Sequence, residues 1–483
     1  MRGILALGAH LPHRRLDRST IAAVAGGGGG KGTRSVAGFD EDATTLAVEA
    51  ARATLRGHRG PAPTALWFST TTPTYADKTN ATAIHAALRL PGSCAAADFA
   101  GAARSSVAAL RAALAGGGPT LVVAGDVRPG LPGSPDEAAA GDGGAALLVG
   151  DAADGAPVLA ELIGAAARTE EFLDRWRAPG DARTRQWEER FGETRYVPLG
   201  LAAVTAALDD AGLAAADVDR VIVASPHARA ARSTVRRLGL AADVVADDLS
   251  TTVGNPGATQ PLLLLVAALE AAAPGEVIAL LSLADGADVL LFRATAAVAD
   301  HQSARPVAEQ VAAGRDVAYP TYLRWRGLLP TEPPRRPEPA RPSASAAART
   351  ADWKFGIVAS EDRTSGSVHM PPARVAMGGG AIDDMEARPM AEVAGTVVTS
   401  TIDRLAYSPS PPIVFAGVDF DGGGRLPIEL TDCDADEVAI GTRVEMTFRR
   451  LFTADGIANY FWKARPQRAA DGSVTTAASA AAG

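Results

Sequence analysis

The chain has 483 residues, 47% of them hydrophobic and 5% aromatic, and a formal net charge of -8. That length exceeds a single hydrophobic core and implies two or three domains. The acidic balance argues against a nucleic-acid binder, and no run approaches the ~18 apolar residues of a membrane span. The opening MRGILALGAHLP has too short an apolar core for a signal peptide. Cys94 and Cys433 lie far apart and make no metal or disulfide pattern. A cytoplasmic protein with no resident cofactor or metal is expected.

Residues 2–8 read as a strand. The glycine run Gly26–Gly32 suggests a phosphate loop, but Gly32 follows Lys31 where a Ser or Thr is needed for the metal, so a plain loop is expected. Asp40 to Asp42 supply N-cap chemistry for a helix over 43–55. A strand over 64–70, a helix over 80–88, a strand over 94–99 and a helix from Ala103 to Leu114 follow. A strand over 120–124 and the turn and strand of GDGGAALLVG, from Gly141, close the series.

The series then recurs. LAAVTAALDDAGLAAADVDRVIVAS repeats the 43–69 unit, and the next helix ends in RRLGL as the earlier one ended in ALRLP. GNPGATQPLLLLVAALE takes the place of the helix from Ala103, and ADGADVLLF echoes GDGGAALLV after a strand over 277–283. Four matching units in one order imply a duplication, and alternating strands and helices imply α/β layers. The helices from Ala103 and from Ala258 have almost no charged face and should be buried near a pseudo-two-fold axis. Their N-termini carry free N–H groups and partial positive charge, suited to an oxyanion or a thioester carbonyl.

The pieces FDEDATTLAVEAAR, YADKTNATAIHAALRLPG, GDGGAALLVG, VDRVIVASPHARAARSTVRRLGL and GNPGATQP resemble the thiolase superfamily, in its HMG-CoA synthase and ketoacyl synthase III branch. The resemblance covers residues 1–325. It implies a duplicated thiolase fold of α-β-α-β-α layers, a homodimer, and action on an acyl-CoA or acyl-carrier-protein thioester, with coenzyme A or phosphopantetheine arriving as part of the substrate. The family's nucleophilic cysteine, counted seven residues back from Leu110, falls on Ala103; its histidine falls on Ala224 and its glutamate on Pro73. Of the usual polar set Asn255 remains, and an alanine methyl cannot carry an acyl group.

Substitutes are available nearby. Ser105 and Ser106 stand at the helix start, either as nucleophiles or as capping and packing hydroxyls. His227 could be a base or hydrogen-bond donor, or a surface histidine opening the next helix. Tyr75 sits in the loop of the missing glutamate, where a phenol could act as acid or base. Asn255, between Gly254 and Pro256 at a buried helix start, is the strongest candidate. Arg229, Arg232, Arg236 and Arg237 form a basic helix face for coenzyme A phosphates or an acidic carrier protein, or a solvated face.

From Tyr319 the text changes. A Pro/Arg/Ser-rich linker, 326–351, is read as unable to form a helix or strand interior. Five short alternating runs between glycine turns then suggest a small barrel. Residues 352–468 resemble the OB-fold protein with a rubredoxin-like zinc ribbon that partners thiolases, on MPPARVAM, DRLAYSPSPP, GVDFDGGGRLPIELTD and YFWKARP. The ribbon's cysteine positions read Asp362, Ser365, Ala376 and Gly379, so tetrahedral zinc is not expected. Residues 469–483 are expected to be a disordered tail.

Two functions follow. One is an atypical enzyme that transfers, condenses or cleaves an acyl thioester, by retro-aldol or decarboxylative chemistry, without the Cys-His-Glu triad. The other is an inactive scaffold that binds a thioester or carrier and supports a partner synthase.

Overall fold

The computed structural model describes residues 1–335, 337, 339–378, 382–469 and 472–477. The chain divides into two compact units. The first comprises Met1–Gly38, Asp42–Thr82 and Leu90–Leu323; Phe39–Glu41 and Ala83–Arg89 belong with the chain from Arg324 in the second.

The main sheet of the first unit has nine strands, arranged in two matching halves. From a short seam, Gly3↔Glu161 and Ile4↔Ala160, one half runs Arg2–His10, Asp142–Asp151, Thr120–Val127, Ala65–Thr70, Ala95–Ala100. The other runs Ala160–Arg168, Ala287–Ala294, Val277–Leu283, Arg220–Ala224, with a bridge from Val221 to Val245 in fifth place. Both halves step antiparallel, antiparallel, parallel, parallel. The repeat read from the text is therefore a repeat of topology.

Helices Ser105–Ala115 and Gln260–Glu270 lie between the half-sheets. Val107, Leu110, Leu262 and Leu265 share one core with Ile4, Leu147, Ile222, Ile278, Leu290 and Phe292. Neighbouring strand residues face the other way: Val221, Val223, Leu281, Val289 and Leu291 pack on Tyr196, Ala203 and Ala207 of helix Glu189–Ala211. This period of two is what a strand buried on both faces requires, and it produces the α-β-α-β-α layering.

On the outer face of the first half, Asp42 caps helix Ala43–Leu55 by accepting from the Thr45 amide at 2.9 Å. That helix lies directly on the sheet because Gly8, Gly144 and Gly125 lie beneath it. A Cβ at these positions would stand 2.6 Å from Thr54 N, 2.3 Å from Leu46 O and 2.2 Å from Ala43 O.

In the second unit, Gly395–Asp403, Ile413–Phe420, Arg425–Leu430, Ile457–Pro466 and Arg443–Ala454 close a five-stranded barrel in that spatial order. Val414, Ala416, Val418, Met446, Phe448 and Trp462 fill it by strict alternation. Ahead of the barrel, Val358–Asp362 pairs with Val368–His369 and Met385–Pro389. At the first expected ribbon knuckle, Asp362 Oδ2 accepts from Ser365 N at 2.7 Å and Ser365 Oγ at 2.5 Å. A hydrogen-bonded Asx turn thus occupies the place of a metal crosslink; Ala376 offers no donor atom, and Gly379 lies outside the described residues.

Buried charge in this unit is paired. Lys463 Nζ lies 3.0 Å from Asp40 and 2.7 Å from Glu429, and Arg449 meets Glu41 and, at 2.5 Å, Asp432.

Two expectations need correction. The linker contains a helix, Ala344–Arg349, capped by Ser343, because its SASAAAR portion is free of the prolines that rule out helix before it. Residues 472–477, expected as disordered tail, instead return to the barrel: Arg443 N donates to Thr475 O at 2.9 Å and Thr475 N to Gln467 O at 2.8 Å.

Candidate active site

A cavity of about 840 Å³ opens in the first unit at the start of the first central helix. Ala100–Ala103 form one wall, Thr71–Pro73 with Ala76 a second, and Val127–Pro129 a third. Arg175–Ala182 with Thr184 close it from a long connection, and Tyr196, Pro226, Ala284 and Asp285 complete it.

Ala103 and Pro73 stand on the wall, so the two positions onto which the resemblance places the family's cysteine and glutamate face the same space. The helix expected from Ala103 begins at Ser105: Gly101, at φ 114°, and a turn over 103–104 precede it. Ser105 Oγ accepts from the Ala102 amide at 3.3 Å and Ser106 is fully buried. Neither serine lines the cavity, which assigns them to capping and packing.

Asn255 also has a different task. Its Nδ2 donates to Ser225 O at 2.8 Å and its Oδ1 accepts from Gly257 N at 2.9 Å, so the amide ties the Ser225–His227 loop to the second central helix. It does not line the cavity. The GNPG turn is read best through Gly257: at φ 61°, a Cβ there would lie 2.4 Å from Asp126 Oδ2 and 2.8 Å from Arg128 Cδ.

His227 is 2% exposed and caps helix Ala228–Leu238. Its Nδ1 accepts from Ala230 N at 3.0 Å, which leaves the proton on Nε2 for Glu189 O at 3.0 Å. Both ring nitrogens are thus hydrogen-bonded to the backbone, and the ring stands off the cavity wall. Ala224 ends its strand in the core, 2% exposed. Tyr75 is off the wall, its N–H donating to Asn80 Oδ1 at 3.0 Å. Arg229 pairs with Glu193, while Arg232 and Arg236 are exposed on the same helix, none of them on the cavity.

The polar groups that do face the cavity are others. Arg128 donates to Thr71 Oγ1 at 2.6 Å, and Arg177 reaches the Thr71 carbonyl. Arg175, two residues from Arg177 along an extended segment, pairs with Asp136 at 2.6 Å. Burial pulls the Arg128 guanidinium below its ordinary value; Asp126 opposes this, while Arg175 and Arg177 add to it by repulsion. Asp126 is fully buried and anchors the wall: Oδ1 takes Thr70 Oγ1 at 2.8 Å and Thr71 N at 2.7 Å, and Oδ2 takes Ala258 N at 2.7 Å.

Behind the Arg175 wall, Asp174 is 1% exposed and packs with His227 across Gly192. Burial raises its carboxyl, against the pull of His227 and Arg175. Tyr196, its phenol pushed well up by burial, accepts from Asp285 N at 3.2 Å. The site is thus a positively charged cleft with two carboxyls on its wall, Asp285 and Asp181, the latter 3.9 Å from Arg185, and no cysteine or histidine among its lining residues. The sequence concealed it because 171–187 shows neither helical nor strand periodicity. Asp285, by contrast, was visible within the repeated ADG.

Comparison with known proteins agrees with this architecture. Residues 208–290 match the family model of the 3-oxoacyl-[acyl-carrier-protein] synthase III C terminal, and residues 387–449 that of the ChsH2 C-terminal OB-fold domain. The hydroxymethylglutaryl-CoA synthase of Methanopyrus kandleri is 30% identical over 345 residues, 68% of this chain and 97% of the relative. That of Pyrococcus furiosus is 29% identical over 336 residues, 67% and 95%. Among solved structures, an HMG-CoA synthase complexed with CoA aligns over 67% of this chain and 89% of its own, with TM-score 0.56 and 18% identity. A 3-oxoacyl-(acyl carrier protein) synthase III from Pseudomonas aeruginosa PAO1 aligns over 61% and 98%, with TM-score 0.52 and 22% identity.

Proposed function

This chain belongs to the thiolase superfamily, in its hydroxymethylglutaryl-CoA synthase and ketoacyl synthase III branch, joined to an OB-fold domain, and on that premise we propose that it acts on an acyl-CoA or acyl-carrier-protein thioester without forming an acyl-enzyme. The observation that carries this reading is Ala103 on the wall of the cavity at the start of the first central helix. A methyl group there leaves room for the thioester and offers it no nucleophile.

What the wall does offer suits chemistry at the carbon beside the carbonyl. The guanidiniums of Arg128, Arg175 and Arg177 make the cleft attractive to a phosphate-bearing thioester and favour negative charge developing on its oxygen. A C–C bond can then be made or broken through an enolate, as in a condensation or a retro-aldol cleavage, with proton transfer in place of acyl transfer.

The test is incubation of the full chain with a panel of acyl-CoA and acyl-carrier-protein thioesters, followed by product analysis and intact-protein mass. Turnover with no lasting mass increase is expected. A stable adduct on Ser105, Ser106 or a wall threonine would overturn the reading, and tight thioester binding with no turnover would leave the scaffold role in its place.

A further inference from the structure

The duplication places two aspartates at matching points. GDGGAALLV and ADGADVLLF make Asp142 and Asp285 counterparts, each just ahead of its half's second strand from the seam or at its first residue. Asp142 is fully buried and serves the fold. Its Oδ1 lies 3.2 Å from Arg34 and accepts from Arg128 N at 2.9 Å, while Oδ2 accepts from Ala37 N at 2.8 Å.

Asp285 differs on each count. It is exposed, on the cavity wall, with φ 48° in the left-handed region that residues with a Cβ rarely adopt. Both of its backbone groups are held there. The N–H donates to the Tyr196 hydroxyl at 3.2 Å, and the carbonyl accepts from Arg104 Nη1 at 2.6 Å. Gly286 follows at φ 128°, where a Cβ would lie 2.5 Å from Arg104 Nη1, so the guanidinium packs flush against the turn. Arg104 is also 2.6 Å from Asp288, and it is the residue after Ala103. The strained turn therefore stands next to the position the family reserves for its nucleophile. Backbone strain held in this way clusters at active sites and ligand clamps.

We propose that Asp285 is the proton-transfer residue of this cavity, its carboxylate taking the α-proton of an acyl thioester bound beside Ala103. The assignment rests on the thioester reading given above. The proton moves to a carboxylate oxygen of Asp285, and the C–H electron pair becomes the enolate. In the return step the carboxyl gives that proton back to carbon or to an alkoxide oxygen. No bond to the protein forms, which is consistent with alanine at 103. Although the open cavity admits solvent, the surrounding protein desolvates the carboxyl and raises it; Arg104 opposes this and Glu171 adds to it. That direction brings a carboxylate closer to the basicity that a proton abstraction requires.

The experiment follows deuterium uptake at the α-carbon of acetyl-CoA, propionyl-CoA and succinyl-CoA in D2O, with the full chain and with Asp285→Asn and Asp285→Gly. Asparagine keeps the shape, and glycine suits the left-handed backbone, so both variants should fold with a Tm at or above that of the parent. Calorimetric titration of the same thioesters should show a Kd within threefold of the parent. Exchange should fall by about 100-fold or more, and the acid limb of its pH profile should vanish. Variants that exchange at the parent's rate overturn the assignment, as does a parent that binds the thioesters and exchanges nothing. A parent that binds no thioester at all overturns the underlying reading as well, and the titration tells the two failures apart.

Discussion

Replacing Asp142 by alanine should cost the first unit about 3–5 kcal/mol. The figure follows from what the carboxylate holds. Arg34 is fully buried, and its charge is raised in basicity, against the burial that lowers it, by Tyr322, Asp142 and Glu137. Removing Asp142 strips that buried guanidinium of its 3.2 Å partner and leaves the amides of Arg128 and Ala37 without their acceptor. Two buried amides left unsatisfied cost about 1–3 kcal/mol each, so simple addition overshoots. What limits the loss is that Arg34 keeps the Glu137 carbonyl at 2.7 Å and the field of the Glu137 carboxylate. Urea unfolding of the full chain, followed by circular dichroism, measures the effect. A loss under about 1 kcal/mol would show that the site relaxes or admits water, and that burial of the pair has been given too much weight. The matching change at Asp285, exposed on the cavity wall, should leave the same unfolding curve nearly in place.

Three further outcomes are expected. Lys463→Met should destabilise the second unit by about 3–5 kcal/mol, since it leaves Asp40 buried without its 3.0 Å partner; the double variant with Asp40→Asn should recover much of this in the same unfolding assay. In the parent, burial would raise Asp40, but Lys463 and Arg449 outweigh it and hold the carboxyl below its ordinary 3.8. Its contribution is therefore present above that pH and lost as pH falls through the lowered folded value, which thermal unfolding across acidic buffers would register. Gly144→Ala would set a Cβ 2.3 Å from the Leu46 carbonyl and should lower stability by about 1–3 kcal/mol or more; an unchanged Tm would mean the helix can lift at little cost. Ala103→Cys should create the chain's fastest thiol toward iodoacetamide, in a positively charged, accessible setting. Burial raises Cys94, and burial with Asp432 and Glu437 pushes Cys433 up to about 12, so both native thiols should stay unlabelled over the same time.

The duplication was legible because its evidence is local: apolar spacing, glycine turns and the paired ADG and GDG are printed in the chain. The place of Ala103 on the cavity wall could be anticipated by counting back from Leu110. The polar groups around it could not. His227 and Asn255 have the right chemistry at the right distance along the chain, yet hydrogen bonds to the backbone engage both imidazole nitrogens and both Nδ2 and Oδ1 of the carboxamide. Residue type and spacing carry no information about such competition, since two of the four backbone partners, Glu189 O and Ser225 O, lie 38 and 30 residues away along the chain. Arg175 and Arg177 were hidden for another reason, since they reach the cavity from a connection whose regular pairing is confined to Arg175–Trp176 with Arg185–Gln186.

The three glycines beneath helix Ala43–Leu55 bear on how a bulky thioester could enter. Where side chains interleave between a helix and a sheet, the two can slide by exchanging rotamers. Here main chain rests on main chain at three separate heights, and there is no rotamer to exchange. The helix and its sheet therefore move as a single plate, and any opening of the cleft falls to the two-rung ribbon that carries Arg175 and Trp176, whose peptide links can break and reform without disturbing a packed layer.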